Sequence, residues 1–498
     1  MKRINNRILK KLFLVVITFL LLIFTSCDIG SIINDEPKEI STTYTIYTIN
    51  DFHGCIFENG SQAGISKIGG FLKEKKDENP DTTLIISAGD MFQGTAVSSM
   101  TRGKSVLEVM NYIGFDAMTI GNHEFDWGIE EVLKYQDGDS TNGEADFPFL
   151  ACNIRDKKTG KLADWATPYT IVEKNGIKFG IIGVIGVGEE SDILTSYVEK
   201  YEFTNELNAI KKYTKILRSE EGADIVIVST HSDTEAINVT LSSLTGDFKV
   251  DAIINGHTHS PYYGSLEYGD RTAGLPYVQS GCYGQYVGKI TLTVFNKTKE
   301  VVSSDVTNLK ATSYCYTPDE NIDNIINKYQ DEISKANEEL GYSATFVTKD
   351  LGGAWCSNVI RDAGEAEVGI VNTGGIRANA FPINIGDLIT YGDIFEMMPF
   401  ENKIVSVSIK GSELINLIDY SGLFVSTNVD RENKLLDGKK IENNEYYRVA
   451  TIDFLFEKNN YPFKRGINVT KYDVLFRDAI AEATKANIMV NGKFRFSK

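Results

Sequence analysis

Histidine is scarce in this 498-residue chain: there are five, at 53, 123, 231, 257 and 259, and none follows. Cysteine is scarce too, and unpaired in sequence. Of six, Cys27 stands near the N-terminus, and the other five (55, 152, 282, 315 and 356) are an odd number with no C-x-x-C spacing. That excludes a disulfide framework or a zinc–thiolate site and predicts buried thiols. Positive charge is short, with 51 Lys and Arg against 68 Asp and Glu, a net charge of −17. No basic stripe is left for a phosphate backbone, which excludes nucleic-acid polymers as partners. An anionic ligand must be drawn instead by a local positive centre such as a metal. Near the N-terminus the apolar run Leu12–Phe24 has only Thr18 as a polar interruption. It is shorter than the roughly 20 residues that span a bilayer.

That run follows Lys2, Arg3, Arg7, Lys10 and Lys11 and precedes Thr25-Ser26-Cys27. The order basic, apolar, small is that of a secretory signal peptide over residues 1–26. Cys27 resembles the acceptor of a bacterial lipobox, with Phe24 where Leu is usual. The expectation is an extracytoplasmic protein tied to the bacterial membrane through lipid on Cys27. Residues 27–42 lack periodicity and read as the lipidated tether. What remains is too long for one ordinary core, and its mixed pattern predicts two α/β domains.

The chain is organised around Thr119–Gly128, T-I-G-N-H-E-F-D-W-G. Phe115, Ala117, Met118 and Ile120 form an apolar approach that reads as a short buried strand. Gly121 breaks it, so Asn122 and His123 project from a strand's carboxyl end. An amide oxygen ligates cations. The adjacent imidazole can give a proton to a substrate held there, with Asp126 orienting the ring. The alternative is a polar strand-to-helix turn capped by Asn122. Four other strand-like runs end in the same way. Tyr44–Asn50 alternates with period two into Asp51-Phe52-His53, and Thr83–Ser87 delivers Gly89-Asp90. Ala223–Thr230 delivers His231, and Val250–Ile254 delivers Asn255-Gly256-His257-Thr258-His259. Carboxyl ends of strands in an open α/β sheet line one crevice, so these groups are expected to converge. Every histidine of the chain lies in one of these motifs, which chance does not explain. Glu124 reads as a first-turn helix acid or a partner behind the ligands, and Trp127 as packing.

The ordered set D-x-H, G-D, G-N-H-E, H, G-H-x-H resembles the calcineurin-like metallophosphoesterases. Within them it resembles the 5′-nucleotidase family, which includes bacterial UDP-sugar hydrolases and vertebrate ecto-5′-nucleotidase, over roughly residues 43–498. The resemblance implies an α/β protein with an N-terminal metallophosphoesterase sandwich (43–310) and a separate C-terminal α/β substrate-binding domain (341–498). One divalent metal would be held by Asp51, His53, Asp90 and His259. The second would be held by Asp90, Asn122, His231 and His257, with Asp90 bridging. His123 and Asp126 would be the catalytic dyad. Two cations about 3.5–4 Å apart bind a phosphate and acidify a water. A His/Asp/Asn donor set suits Zn, Mn or Fe better than Ca or Mg.

Tyr286–Phe295 reads as a late strand closing the first domain. The charge-rich stretch Asp319–Leu340 reads as an exposed linker helix within 311–340. In the second domain Ser357–Ala363 (S-N-V-I-R-D-A) resembles the family's G-N-L-x-A-D-A helix start. Val368–Arg377 is a buried strand and a Gly-rich turn presenting Asn372, Gly375 and Arg377. There glycine allows close backbone approach and arginine offers a forked donor for phosphate. Met398–Gly411 resembles the family's P-F-x-N segment. By that resemblance Phe400 is one side of a base clamp and Asn402 contacts the ligand; by its own pattern Phe400 reads as core. Where the family carries a G-G-D-G-F-type loop, this chain has F-L-F-E-K-N-N-Y-P-F at 454–463. Tyr461 or Phe463 is left for the second clamp aromatic. Arginines that the family carries just before Ser357 are missing, with only Lys349 nearby. The implied reaction is hydrolysis of a small 5′-nucleotide by a metal-activated water. Alternatives are a 2′,3′-cyclic-nucleotide phosphodiesterase/3′-nucleotidase or a UDP-sugar hydrolase on the same scaffold, or a surface lipoprotein that binds nucleotides without turnover.

Overall fold

The computed structural model describes residues 39–232, 236–267 and 272–491. The segments expected to be a signal peptide (1–26) and, before residue 39, a tether, with the expected lipidation site Cys27, lie outside the described residues. Strand β1 (Ser41–Ile49) begins inside the stretch read as tether. Its alternation sends Tyr44 and Ile46 to one face and Tyr47 and Ile49 to the other, and both faces are buried. Such a strand suits a parallel sheet covered on both sides. β1 is parallel to β2 (Thr83–Ser87), β2 to β3 (Ala117–Thr119), and β3 to β4 (Phe149–Leu150). Tyr286–Phe295 and then Val301–Lys310 add antiparallel on the other side of β1 and complete a six-stranded sheet.

A second six-stranded sheet has the order Pro261–Leu266, Leu275–Ser280, Ala252–Gly256, Ile225–His231, Ile177–Ile185, Tyr169–Lys174. Its inner pairings are parallel and both edge pairings antiparallel. The sheets meet through Ile46, Leu84, Ile86, Phe179, Ile227 and Ile254, all fully buried. Each such side chain contributes about 1.5–3 kcal/mol by leaving water. The sandwich brings two sets of parallel carboxyl ends to one rim, which places the site.

The second domain is built on a five-stranded sheet, ordered Leu423–Val425, Val368–Asn372, Tyr446–Ile452, Lys403–Lys410, Ile467–Leu475. Helix Lys349–Ala363 packs on its inner strands, started by Thr348, whose hydroxyl accepts from the Leu351 N–H. The connection at 311–340 is not one exposed helix. It is broken into Ala311–Tyr314, Glu320–Ile326, Asn327–Tyr329 and Gln330–Ala336. Ile322 and Ile326, four apart, are buried against the first domain's helices Ile65–Glu78 and Lys104–Ile113. Charge on the outer side of this stretch hides an apolar stripe on the inner one. The five cysteines among the described residues are free and buried, and no helix there is long and apolar enough to cross a membrane.

Candidate active site

The strand ends converge as the sequence predicts. Asp51, His53 and His259 present ligand atoms to one another, as do Asp90, His231 and His257, and Asp90 also reaches His53 and His123. The backbone is bent to do this. Asp51, His53, Asp90, His257 and His259 have φ of 48°, 50°, 56°, 85° and 61°, a left-handed conformation that costs a non-glycine residue of order 1–3 kcal/mol. Strain shared by five candidate ligands marks a site whose surroundings enforce it.

The second nitrogen of each ring decides what the first one offers. His53 Nδ1–H donates to the Gln93 carbonyl at 2.9 Å, leaving the Nε2 lone pair facing His259 Nε2 at 3.0 Å. His231 Nδ1–H donates to the Ala88 carbonyl at 2.7 Å, which turns Nε2 to Asn122 Oδ1 at 3.0 Å and Asp90 Oδ2 at 3.1 Å. His257 Nδ1 lies 3.0 Å from the same Asn122 oxygen and 3.3 Å from His231 Nε2. Acceptors thus face acceptors at contact distance in a buried site, which repels unless positive charge lies among them. A proton on His231 answers part of this: burial opposes its charge, yet Asp90 draws the ring up to about 10. Burial likewise opposes ionisation of Asp90, but His231, His123 and His53 hold its carboxyl well below the ordinary range. The donor set fits divalent cations, which supply that charge without a proton.

Asp90 is braced from behind. The buried Glu124 carboxylate accepts from the N–H groups of Asp90 (2.9 Å), Met91 (3.0 Å) and Gly121 (2.8 Å), tying two ligand loops together. Burial and the neighbouring Asp90 charge push Glu124 up to about 7 despite those donors. Both of its sequence readings hold: Glu124 lies in the first turn of the short helix His123–Phe125 and stands behind the ligands. Gly121 is needed for room, since a Cβ there would lie 2.2 Å from Asp90 Oδ1.

His123 Nδ1–H donates to Asp126 Oδ2 at 2.7 Å, so Nε2 is free to accept, and Arg377 Nη2 donates to it at 3.0 Å. Burial disfavours the His123 cation, but Asp126 and Asp90 raise the ring above the usual value. Phe400 stacks on the same ring at 5.9 Å and 28°, with the Arg377 guanidinium over Phe400 at 5.1 Å. Two residues of the second domain therefore meet the dyad directly. Further contacts join the domains around them: Gln93 Nε2 donates to the Pro399 carbonyl, and Arg102 pairs with both oxygens of Glu401.

Between the domains lies a cleft of about 520 Å³. The first domain lines it with Asp90, Asn122, His257 and His259 of the metal site, with His123 and Asp126, and with the segment carrying Asp192, Leu194 and Tyr197. The second contributes Asn372, Gly375, Arg377, Phe400, Asn402 and Phe454. Asn402 is held by its amide donating to Asp453 Oδ1 at 3.0 Å, while Asn372 Oδ1 is buried without a hydrogen-bond partner. Tyr461 and Phe463 do not line this cleft. Phe463 is fully buried in the second domain's core. Tyr461 stacks on it at 5.9 Å and opens on a separate surface groove with Tyr420 and Arg465. Phe463→Ala should therefore cost about 3–5 kcal/mol of stability in denaturant unfolding and leave substrate KM unchanged. Tyr197 and Phe454 were not singled out in the sequence. Leu194 and Tyr197 follow no motif, and Phe454 stands seven residues before Tyr461, one of the two aromatics left open for the clamp.

Two family models match the chain: calcineurin-like phosphoesterase over residues 44–261, and 5′-nucleotidase, C-terminal domain, over 302–464. Among curated relatives, "Endonuclease YhcR" of Bacillus subtilis is 27% identical over 463 residues, 82% of this chain and 37% of that protein. The chain thus spans little more than a third of that relative's length. A 5′-nucleotidase of Vibrio parahaemolyticus is 26% identical over 448 residues, 78% of this chain and 76% of that protein. Among solved structures, the 5′-nucleotidase precursor of Thermus thermophilus shares the fold with a TM-score of 0.71 at 19% identity, over 89% of this chain and 96% of that one. The sandwich with its rim of histidines and carboxylates defines a calcineurin-like phosphoesterase, a hydrolase of phosphate esters. Joined to the second domain, it makes the chain a member of the 5′-nucleotidase family.

Proposed function

We propose that the protein is an extracytoplasmic, two-metal phosphohydrolase that removes the phosphate of small nucleotides of the 5′ type. The observation that carries this reading is the interdomain cleft, where the donor cluster and the His123–Asp126 pair face Arg377, Phe400 and Asn402. Asp51, His53, Asp90 and His259 would hold one cation, and Asp90, Asn122, His231 and His257 the other. When bound, such a pair supplies charge to bind the phosphate and acidify a water. His123, its ring fixed by Asp126 and its cation favoured by Asp126 and Asp90, would carry a proton on Nε2 once Arg377 turns from that nitrogen to the phosphate, and give that proton to the leaving oxygen. Arg377 offers its guanidinium fork to a phosphate oxygen at the same place. Aromatic walls for a base are Phe400, Phe454 and Tyr197. Phosphate release from AMP, UMP, UDP-glucose and 2′,3′-cyclic AMP tests the choice. Fastest release from the mononucleotides is expected, whereas preference for the cyclic or sugar-linked substrate would reassign the leaving group.

Phe400 ties recognition to chemistry. Phe400→Ala should raise KM for AMP about tenfold, which is 1.4 kcal/mol, in line with one lost aromatic stack plus its buried area. Turnover of glycerol 2-phosphate, which has no base, should change far less. Equal losses on both substrates would make Phe400 a packing residue of the dyad alone. The anchor is tested separately: Cys27→Ser should move the protein out of the membrane fraction and abolish incorporation of labelled fatty acid. Soluble, unlipidated wild-type protein in its own cell would contradict the anchor.

A further inference from the structure

Three of the four candidate ligand rings have their second nitrogen occupied. For His53 and His231 the partner is a backbone carbonyl. His257 differs: its Nε2 lies 2.9 Å from Oε2 of Glu189. Glu189 belongs to the short turn Glu189–Asp192, on the loop that leaves the strand Ile177–Ile185. In that loop Val187 (55% accessible), Gly188, Ser191 and Asp192 are exposed, yet Glu189 is 3% accessible. Room for its carboxylate comes from Gly186, where a Cβ would lie 2.7 Å from Glu189 Oε1 and 3.0 Å from Ser232 Oγ. The other acids nearby stand further from the ring or face elsewhere. Asp192 Oδ2 is 4.0 Å from Nε2, and Glu206 bonds Ser232. A buried carboxylate in a solvated loop is thus aimed at one nitrogen of one ring.

We infer that Glu189 is a positioning residue of the metal site: it accepts the Nε2–H of His257 and so fixes the tautomer and tilt that turn Nδ1 toward Asn122 and His231. The inference rests on reading His257 as a ligand. A neutral imidazole has one N–H and one lone pair, so an acceptor on Nε2 commits the lone pair to Nδ1. A carboxylate in that place also makes the ring a stronger donor than a carbonyl does, and losing such a partner typically lowers metal affinity about 10–100-fold.

The test is titration of the chelator-stripped full chain with Mn²⁺, by calorimetry and by EPR, for wild type, Glu189→Ala and Glu189→Gln. Wild type should bind two ions. Glu189→Ala should weaken one of them about 10–100-fold and leave the other unchanged. Glu189→Gln, whose amide oxygen still accepts from Nε2–H, should recover most of that loss. Long-range ¹H–¹⁵N spectra should show His257 as the Nε2–H tautomer in wild type and Glu189→Gln, and mixed in Glu189→Ala. A purely structural role would lower both affinities together, with no rescue by Gln and no change of tautomer, and would overturn the inference, as would affinities that do not move. His257→Ala is the control for the underlying reading. If it keeps both ions, the ligand assignment fails; if it loses one and Glu189→Ala loses none, only the role of Glu189 fails.

Discussion

Asp90→Asn should strip the protein of metal and of activity together. The carboxylate is 1% exposed, lies 3.1 Å from His231 Nε2, and accepts from the His123 N–H at 3.0 Å. Among the described residues it is the one acid grouped both with His53 on one side and with the His231–His257 pair on the other. Asparagine has nearly the same size and can accept the same N–H, but it brings no charge to either group. On the two-metal reading the single amide oxygen could serve one cation at most, so the bridge between the two would be lost. The expected affinity loss exceeds the 10–100-fold typical of an outer partner. Turnover should fall by about 10⁴-fold or more, which is about 5.4 kcal/mol at 1.36 kcal/mol per decade. Metal content after gel filtration, read with phosphate release and a circular-dichroism check of the fold, measures it. Full occupancy in a folded Asp90→Asn chain would remove Asp90 from the bridging role.

His123→Ala should do the opposite to metal and nearly as much to rate. His123 Nδ1 is taken by Asp126, and Nε2 stands 4.0 Å from Asp90 and 3.0 Å from Arg377, so the ring looks into the cleft. Removing it leaves the other donors in place. A positioned acid–base group contributes about 10²–10⁴-fold, so kcat should fall by that factor while metal content stays at the wild-type level. Arg377 and Phe400 also touch this ring, so KM for a nucleotide should rise moderately as well. If His123→Ala empties the site as completely as Asp90→Asn, the division between ligands and dyad is wrong.

The first domain was legible because its signals are local and repeat. Period-two alternation in β1, short apolar runs at β2 and β3, and a polar cluster after each are enough to place parallel strands and their carboxyl ends. The rule that such ends share a crevice then gathers residues 51 to 259 without knowledge of the sandwich. The second domain was less legible because its contribution depends on packing that no local pattern encodes. Phe454 and Phe463 sit in one short stretch of similar composition, yet a helical turn at Asp453–Glu457 leaves the first on the cleft and a tight turn at Phe463–Arg465 sends the second into the core. Tyr197 comes from the other domain altogether. The stretch 311–340 misled by its charge, since Ile322 and Ile326 at helical spacing carry its buried side. Glu189 gave no signal, because one acid among the polar residues of a loop is ordinary until a ring nitrogen is found 2.9 Å away.

The measurement closest to the central claim is phosphate release from AMP by chelator-stripped protein as Mn²⁺ or Zn²⁺ is returned, with bound metal counted at each step. Release should be absent from the stripped chain, rise with occupancy, and reach its plateau at two ions per chain. Release that persists in excess chelator, or a fully loaded chain that frees no phosphate from any nucleotide, would contradict it.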